Sequence, residues 1–200
     1  MSKQKIAEIA LREFLKNGVW DVTIAKLIAP LHISSKTFYK HYESKEALLA
    51  ECLDILYERH YDEFRKITSG SGNPVNKILA VFKIAFREDF GITNKFYHDI
   101  NHYYPNVQNA AIEKIGAKSG ALIQPLFDQA VEAGFLIPEL NKIVCLMAIN
   151  TLYVSMTRGK DFLELGHDSQ LLFQNLVEVY FRGMCTNKGR KLLDTQLKDK

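Results

Sequence analysis

The chain has 200 residues, of which 47% are hydrophobic and 24% charged, a composition typical of folded globular proteins. Five prolines and three cysteines exclude proline-rich and disulfide-framework proteins. The net charge is only +3, but residues 1–45 hold eight Lys and Arg against four Asp and Glu. A positive excess confined to one segment indicates a nucleic-acid or membrane contact there.

Neither cysteine spacing nor hydropathy indicates secretion or membrane insertion. Cys52, Cys145 and Cys185 are sparse and odd in number, which suits a reducing compartment. The most apolar run, 143–156, is shorter than the ~20 residues of a spanning helix. We therefore expect a cytoplasmic protein with no membrane partner.

Helical periodicity covers almost the whole chain, which predicts an all-α fold of about nine helices. Gly18 is expected to end the first helix, the glycine- and serine-rich segment 69–74 is expected to be a linker, and Pro125 is expected to kink a long helix. The first helix is predicted over about 3–17, and two short helices are predicted to start at residues 23 and 34. The later helices are predicted over about 44–68, 74–89, 93–104, 105–133, 138–158 and 168–186, and a polar basic tail is predicted over 187–200.

The helices predicted over 138–158 and 168–186 are apolar around a wide arc. Such an arc needs cover from two directions, and 200 residues provide little material to enclose two long helices. We therefore expect a homodimer in which these two helices of each chain form a four-helix interface. Full burial within a monomer is the alternative.

Two short predicted helices start eleven residues apart, at Thr23 and Ser34. Each starting residue is a good N-cap, and each has an apolar residue before it and another four residues later. Because helices this short are unstable alone, they must pack on each other and on their neighbours. This is the layout of a helix-turn-helix over about 22–41, whose second helix enters the major groove of DNA.

The second of these helices has a surface suited to DNA. No acidic residue lies between Val22 and Tyr42, and the outward side chains are hydroxyl groups, cations and an aromatic hydroxyl that donate to phosphates or base edges. A solvated hydroxyl-rich helix in an ordinary bundle is the alternative for the spacing alone. The candidate DNA-binding residues are Thr23, Ser34, Ser35, Lys36, Thr37, Tyr39, Lys40, His41 and Lys45.

An ordered set of residues over 6–49 resembles the N-terminal DNA-binding domain of the TetR family of bacterial transcriptional regulators. The set comprises Ala10, Phe14 and Gly18, then Thr23, Ile24 and Leu27, then Ile33-Ser34, Thr37-Phe38-Tyr39, His41-Tyr42 and Ser44-Lys45-Glu46-Ala47-Leu48-Leu49. The chain departs from the family pattern at three places. Leu31 and His32 replace a small residue and glycine, Pro30 lies near the end of the second helix, and Lys36 stands where glycine is frequent.

The resemblance implies a ligand-responsive regulator, most often a repressor, and not an enzyme. Residues 1–60 would be the DNA-binding domain and residues 61–200 an effector-binding and dimerisation bundle. The implied partners are double-stranded operator DNA, a second copy of the chain and a small-molecule effector, with no cofactor. Polar or aromatic residues within the predicted bundle are candidates to line the ligand pocket: Phe86, His102, Tyr103, Gln124, Asn150 and Tyr153.

His98 and His102 form an i, i+4 pair that offers a different interpretation. Two imidazoles on one helix face can hold a metal ion, so a small all-α metal protein or enzyme built on them is the alternative function. No third ligand stands at a motif spacing, and Asp99 points about 100° away around the helix. We therefore expect no metal site there.

Overall fold

The computed structural model describes residues 2–90, 94–158, 162 and 169–198, and this part of the chain is all-α, as predicted. An isolated β-bridge joins Leu136 and Cys185. The helices, numbered in chain order, are α1 Lys3–Asn17, α2 Ile24–Ile28, α3 Ser35–Tyr39, α4 Lys45–Ser69, α5 Pro74–Phe90, α6 Asn94–Tyr103, α7 Pro105–Glu132, α8 Lys142–Arg158, α9 169–184 and α10 Asn187–Lys198.

The chain divides into two compact units. The first contains 1–61 and 91–117, and the second contains 62–90 and 118–200. Helices α4 and α7 therefore each begin in the first unit and end in the second. The predicted division at residue 60 concerns function, and it stays a prediction.

The first unit is built on an apolar core shared by α1, the two short helices, the first part of α4, and α6. Phe14, Phe38 and Phe96 are fully buried in it and come from three different helices. Burial of these side chains supplies the stability that five-residue helices such as α2 and α3 lack by themselves. Helix α6, distant in sequence, is thus part of the unit that contains the helix-turn-helix.

The second unit has a separate apolar core, to which α5, α7, α8 and α9 contribute. Phe86 on α5 packs against the rings of Tyr153 and Phe173, with ring centroids 6.4 and 5.6 Å apart. Helix α9 contains a six-residue π-helical segment, Phe173–Glu178, between two α-helical parts. Helix α7 continues through Pro125 to Glu132, and Gly134, with φ 69°, follows it.

Helix α8 begins at Lys142, four residues after the predicted start at Pro138. Asn141 explains the difference, because its Oδ1 accepts hydrogen bonds from the backbone amides of Ile143 and Val144 at 3.0 and 3.2 Å. The side chain thereby satisfies two amides that have no partner within the helix. Thr93 and Asp168, the predicted starts of two other helices, lie outside the described residues.

The prediction of a polar tail after residue 186 is wrong over 187–198, which form α10. Thr186 Oγ1 accepts from the amide of Gly189 at 3.2 Å, and Leu193 is buried in the core of the second unit. Arg182 on α9 also forms an ion pair with Asp194 at 2.8 Å. One buried leucine, a cap and an ion pair thus hold a helix whose composition is mostly polar.

Among the described helices, none combines the length and the apolar character required to cross a membrane.

Candidate DNA-binding site

Helix α3 is the centre of the candidate site. Ser34 is its N-cap, with Oγ accepting from the amide of Thr37 at 3.1 Å and lying 3.0 Å from Thr37 Oγ1. Phe38 is fully buried, so one side of α3 is held in the core, and Tyr42, three residues after α3, is buried as well. The structure leaves the opposite side open, with Ser35, Lys36, Tyr39 and Lys40 exposed and Thr37 half-buried.

Tyr39, the exposed tyrosine of α3, packs against a buried side chain. Tyr39 is 55% exposed, and its ring meets the buried ring of Phe38 edge to face at a centroid distance of 5.3 Å. Tyr42 donates a hydrogen bond from its hydroxyl to the Lys3 carbonyl at 3.0 Å, which ties the segment just after α3 to the start of α1. The ring contact and the hydrogen bond therefore hold α3 in place with its polar face exposed.

Helix α2 lies before α3 and ends in an irregular turn. Thr23 is its N-cap, accepting from the amide of Lys26 at 3.2 Å. The α-helix stops at Ile28, and a 3₁₀ turn, Ala29–Leu31, contains Pro30, whose missing amide hydrogen prevents a longer α-helix. His32 then adopts the left-handed conformation (φ 51°, ψ 39°) at the place where the family pattern has glycine.

Two further candidates lie just after α3. His41 is half-buried, and Lys45, at the start of α4, is half-buried as well. The ammonium group of Lys45 donates to the backbone carbonyls of Val19 (2.5 Å) and Trp20 (3.2 Å), and burial lowers its pKa. In this structure Lys45 therefore contacts the turn between α1 and α2, so its predicted role at a phosphate stays a prediction.

Sequence reasoning missed Asp99, a buried carboxylate on α6. Its Oδ2 accepts from the amides of Val19 at 2.7 Å and Trp20 at 2.8 Å, in the turn between α1 and α2. A signal is present in the sequence, since Asp99 lies three residues after Phe96 and so shares an apolar helix face. A carboxylate on such a face predicts a buried hydrogen-bond donor as its partner, but the sequence does not indicate which residue provides it.

The six pocket candidates are divided between the two units. Phe86, Gln124, Asn150 and Tyr153 belong to the second unit, where Phe86 and Tyr153 are in ring contact while Gln124 and Asn150 are exposed. His102 and Tyr103 belong to the first unit and are both exposed, with rings edge to face at 4.8 Å.

His98 and His102 lie close together on α6, as their spacing predicts, but two imidazoles alone do not make a metal site. The rings of His98 and His102 stack with centroids 5.8 Å apart, and the side chain of His98 is largely exposed. Asp99 lies 3.4 Å from His98 Nδ1, yet its other oxygen is occupied by the two backbone amides. Across the described ranges, no group of three or more His, Cys, Asp or Glu side chains is arranged to hold a metal ion.

Known proteins resemble the chain most clearly at its N-terminus. Residues 6–52 match the family model described as bacterial regulatory proteins, tetR family. An uncharacterised HTH-type transcriptional regulator of Bacillus subtilis, YerO, is 30% identical over 89 residues, covering 44% of this chain and 31% of YerO. The HTH-type transcriptional repressor KstR2 of Mycobacterium tuberculosis is 21% identical over 144 residues, covering 68% of this chain and 70% of KstR2.

The fold of the described part of the chain also has solved counterparts. One is the TetR-family transcriptional repressor FadR of Thermus thermophilus in complex with lauroyl-CoA, with a TM-score of 0.61 and 18% identity over 93% of this chain and 96% of FadR. The expected resemblance is thus confirmed in the N-terminal sequence and in the all-α fold. Residues 6–52 thus match the amino-terminal domain of the tetR family of bacterial regulatory proteins, and the curated relatives of the chain are transcriptional regulators.

Proposed function

We propose that the chain is a cytoplasmic repressor that binds a palindromic operator as a homodimer and leaves it when a small-molecule effector binds. The observation that carries the DNA-binding part is the exposed polar face of α3, capped by Ser34 and supported by buried Phe38. The segment from Val22 to Tyr42 contains no carboxylate that would repel phosphates. In a dimer, two such helices would occupy half-sites about one turn, ~34–36 Å, apart.

The charge of the chain supports DNA binding by two copies of the helix-turn-helix unit, called here the DNA-binding head of each chain. Residues 1–45 carry a net charge of +4, since eight Lys and Arg face four Asp and Glu. That charge gives one head a modest, salt-dependent affinity for DNA. Linking two heads makes the second contact intramolecular, so a dimer reaches an affinity that one head cannot.

The dimer proposal is supported by an exposed apolar surface on α8, the turn before it, and α9. Ile143, Val144 and Met147 lie on one face of α8 and are 57%, 60% and 64% exposed, and Leu140, in the turn before the helix, is 39% exposed. On α9, Leu171 and Val179 are 44% and 59% exposed. Apolar surface of this extent on a single chain indicates an interface, and the notably apolar helices predicted to pair are the ones that carry it.

An effector site is proposed within the helical bundle. KstR2 is a repressor, and FadR of Thermus thermophilus was solved with lauroyl-CoA, so related folds include ligand-binding repressors. In this chain the effector would bind among the helices of the second unit, whose apolar core includes Phe86 and Phe173 with Tyr153 packed against them. Because α4 and α7 run through both units, a ligand-induced shift of either helix would reach the DNA-binding head.

Selection of bound DNA from a random library, followed by a search upstream of the protein's own gene, tests DNA binding and supplies the operator. With that operator, Tyr39→Ala should weaken binding by about 1–3 kcal/mol if the hydroxyl reads a base edge. Lys40→Ala should lower the slope of log K against log salt by about 0.9 per protomer, as expected for a lost phosphate contact.

Arg59→Ala is the matched control, because it removes one exposed cation from α4 in the same unit, away from α3. All three variants should keep the mass of the wild-type assembly in light scattering. Equal affinity of wild type, Tyr39→Ala and Lys40→Ala in a fluorescence-anisotropy titration contradicts the assignment of α3.

A further inference from the structure

The turn between α1 and α2, residues Gly18–Asp21, is held by side chains from distant parts of the chain. Asp99 on α6 is 3% exposed, and its Oδ2 accepts from the amides of both Val19 and Trp20. Hydrogen bonds to a buried carboxylate are charge-assisted and therefore stronger than those between neutral groups. A single side chain on α6 thus satisfies two consecutive amides of the turn.

Gly18 permits this close approach. A Cβ atom at Gly18 would lie 2.5 Å from Asp99 Oδ2 and 2.7 Å from Lys95 Cγ. Both distances are too short for any side chain, and the φ of 78° also disfavours residues other than glycine. The contact between the turn and α6 therefore depends on a glycine at this position.

Lys45 holds the other polar groups of the same turn. Its ammonium group donates to the carbonyls of Val19 and Trp20, the residues whose amides bind Asp99. Lys95 of α6 forms an ion pair with Asp21 at the end of the turn. The backbone amides of the turn therefore bind the Asp99 carboxylate, and its backbone carbonyls bind the Lys45 ammonium group.

An aromatic stack completes the arrangement. Trp20 packs on Tyr103 of α6 with ring centroids 3.9 Å apart and planes 21° apart. Trp20 is three residues before Thr23, the N-cap of α2, and α2 in turn contacts α3. The attachment of the turn to α6 therefore anchors the chain three residues before α2, the helix on which α3 packs.

We propose that Asp99 is a positioning residue for DNA recognition, acting through the amides of Val19 and Trp20 on the placement of α2 and α3. This role rests on the proposed function, because it assumes that α3 binds DNA. It assigns α6 to the DNA-binding head, although α6 follows the helix-turn-helix by more than fifty residues.

The test uses Trp20 as a local probe, since it is the single tryptophan of the chain. Asp99→Asn keeps the shape of the side chain and removes its charge, whereas Asp99→Ala removes both amide contacts. The full-length variants are compared by acrylamide quenching of Trp20 fluorescence, by circular dichroism and by titration with the selected operator. Lys114→Ala is the control, because it breaks an exposed 2.7 Å ion pair with Asp54 in the same unit.

Asp99→Ala should weaken operator binding at least about tenfold and increase Trp20 quenching, with helix content retained, as expected for the loss of charge-assisted hydrogen bonds. The operator affinity and Trp20 quenching of Asp99→Asn should lie between those of Asp99→Ala and wild type. Asp99→Asn also replaces the alanine variant in the test if that variant fails to fold. Lys114→Ala should match wild type. Folded Asp99 variants with wild-type affinity and quenching overturn the inference alone, whereas a wild-type protein that binds no DNA overturns the proposed function and this role with it.

Discussion

At the scale of single residues, backbone conformation decides two connections of the helix-turn-helix. His32 holds the left-handed turn before α3, and Gly18 holds an extended positive-φ conformation (φ 78°, ψ 176°) before α2. Histidine tolerates its position because polar residues visit the left-handed region, so the family's glycine is dispensable there. Gly18 has no such freedom, because its surroundings as well as its φ exclude a side chain.

Gly18→Ala should therefore be costly. Backbone strain at such a conformation is of order 1–3 kcal/mol, and the contact with Asp99 adds to it. Gly134→Ala is the comparison, since Gly134 also has positive φ (69°) but has nothing within 4 Å of the added Cβ. Gly134→Ala should lose only the cost of a Cβ at positive φ, about 1–2 kcal/mol. Urea denaturation measures both, and equal losses would show that the crowding around Gly18 is unimportant.

At the scale of helices, caps explain where the structure agrees with expectation and where it departs. Thr23 and Ser34 cap α2 and α3 at the predicted positions, because each is followed at once by an apolar helix face. Asn141 moves the start of α8 beyond Pro138, and Thr186 caps α10 where a tail was expected. In the last case the polar composition of 187–198 concealed a helix that is held by buried Leu193 together with its cap and polar contacts.

Ser34 allows the structural role of a cap to be separated from a role at DNA. Ser34→Ala removes the cap and should destabilise the protein by about 1 kcal/mol in urea denaturation. Ser34→Asp keeps a cap of equal quality, so its stability should stay near wild type. It also places a carboxylate on the α3 surface and should abolish operator binding through repulsion of the phosphates. If Ser34→Asp binds DNA as wild type does, α3 does not face the phosphates.

At the scale of the whole molecule, the proposed dimer depends on apolar surface that one chain leaves exposed. Met147 on α8 is 64% exposed and lies in line with Ile143 and Val144. Clustered exposure of this kind is expensive in a monomer, because it leaves apolar area in water that pairing would remove. The same two helices would then link the heads on the operator.

Met147→Lys should dissociate the dimer, because an ammonium group would be buried without a partner. Gln129→Lys, on the exposed surface of α7, adds the same charge elsewhere and should leave assembly unchanged. Sedimentation equilibrium distinguishes a mass of about 22.9 kDa from twice that value. Operator affinity should fall together with the loss of the dimer, since a single head binds weakly. A dimeric Met147→Lys protein would place the interface elsewhere.

The sequence by itself determined what depends on local order. Periodicity predicted the all-α fold, cap residues predicted the starts of α2 and α3, and an ordered run of residues over 6–49 predicted the family. These features are readable because helix formation and capping involve residues three or four positions apart.

Only the tertiary structure decided what depends on distant contacts. Asp99 could be recognised as a carboxylate on an apolar face, but its partners at Val19 and Trp20 lie about eighty residues earlier in the chain. The docking of α10 through Leu193 and the inclusion of α6 in the first unit have the same origin. Burial and buried hydrogen bonds are properties of the folded chain, so no local pattern specifies which partner satisfies them.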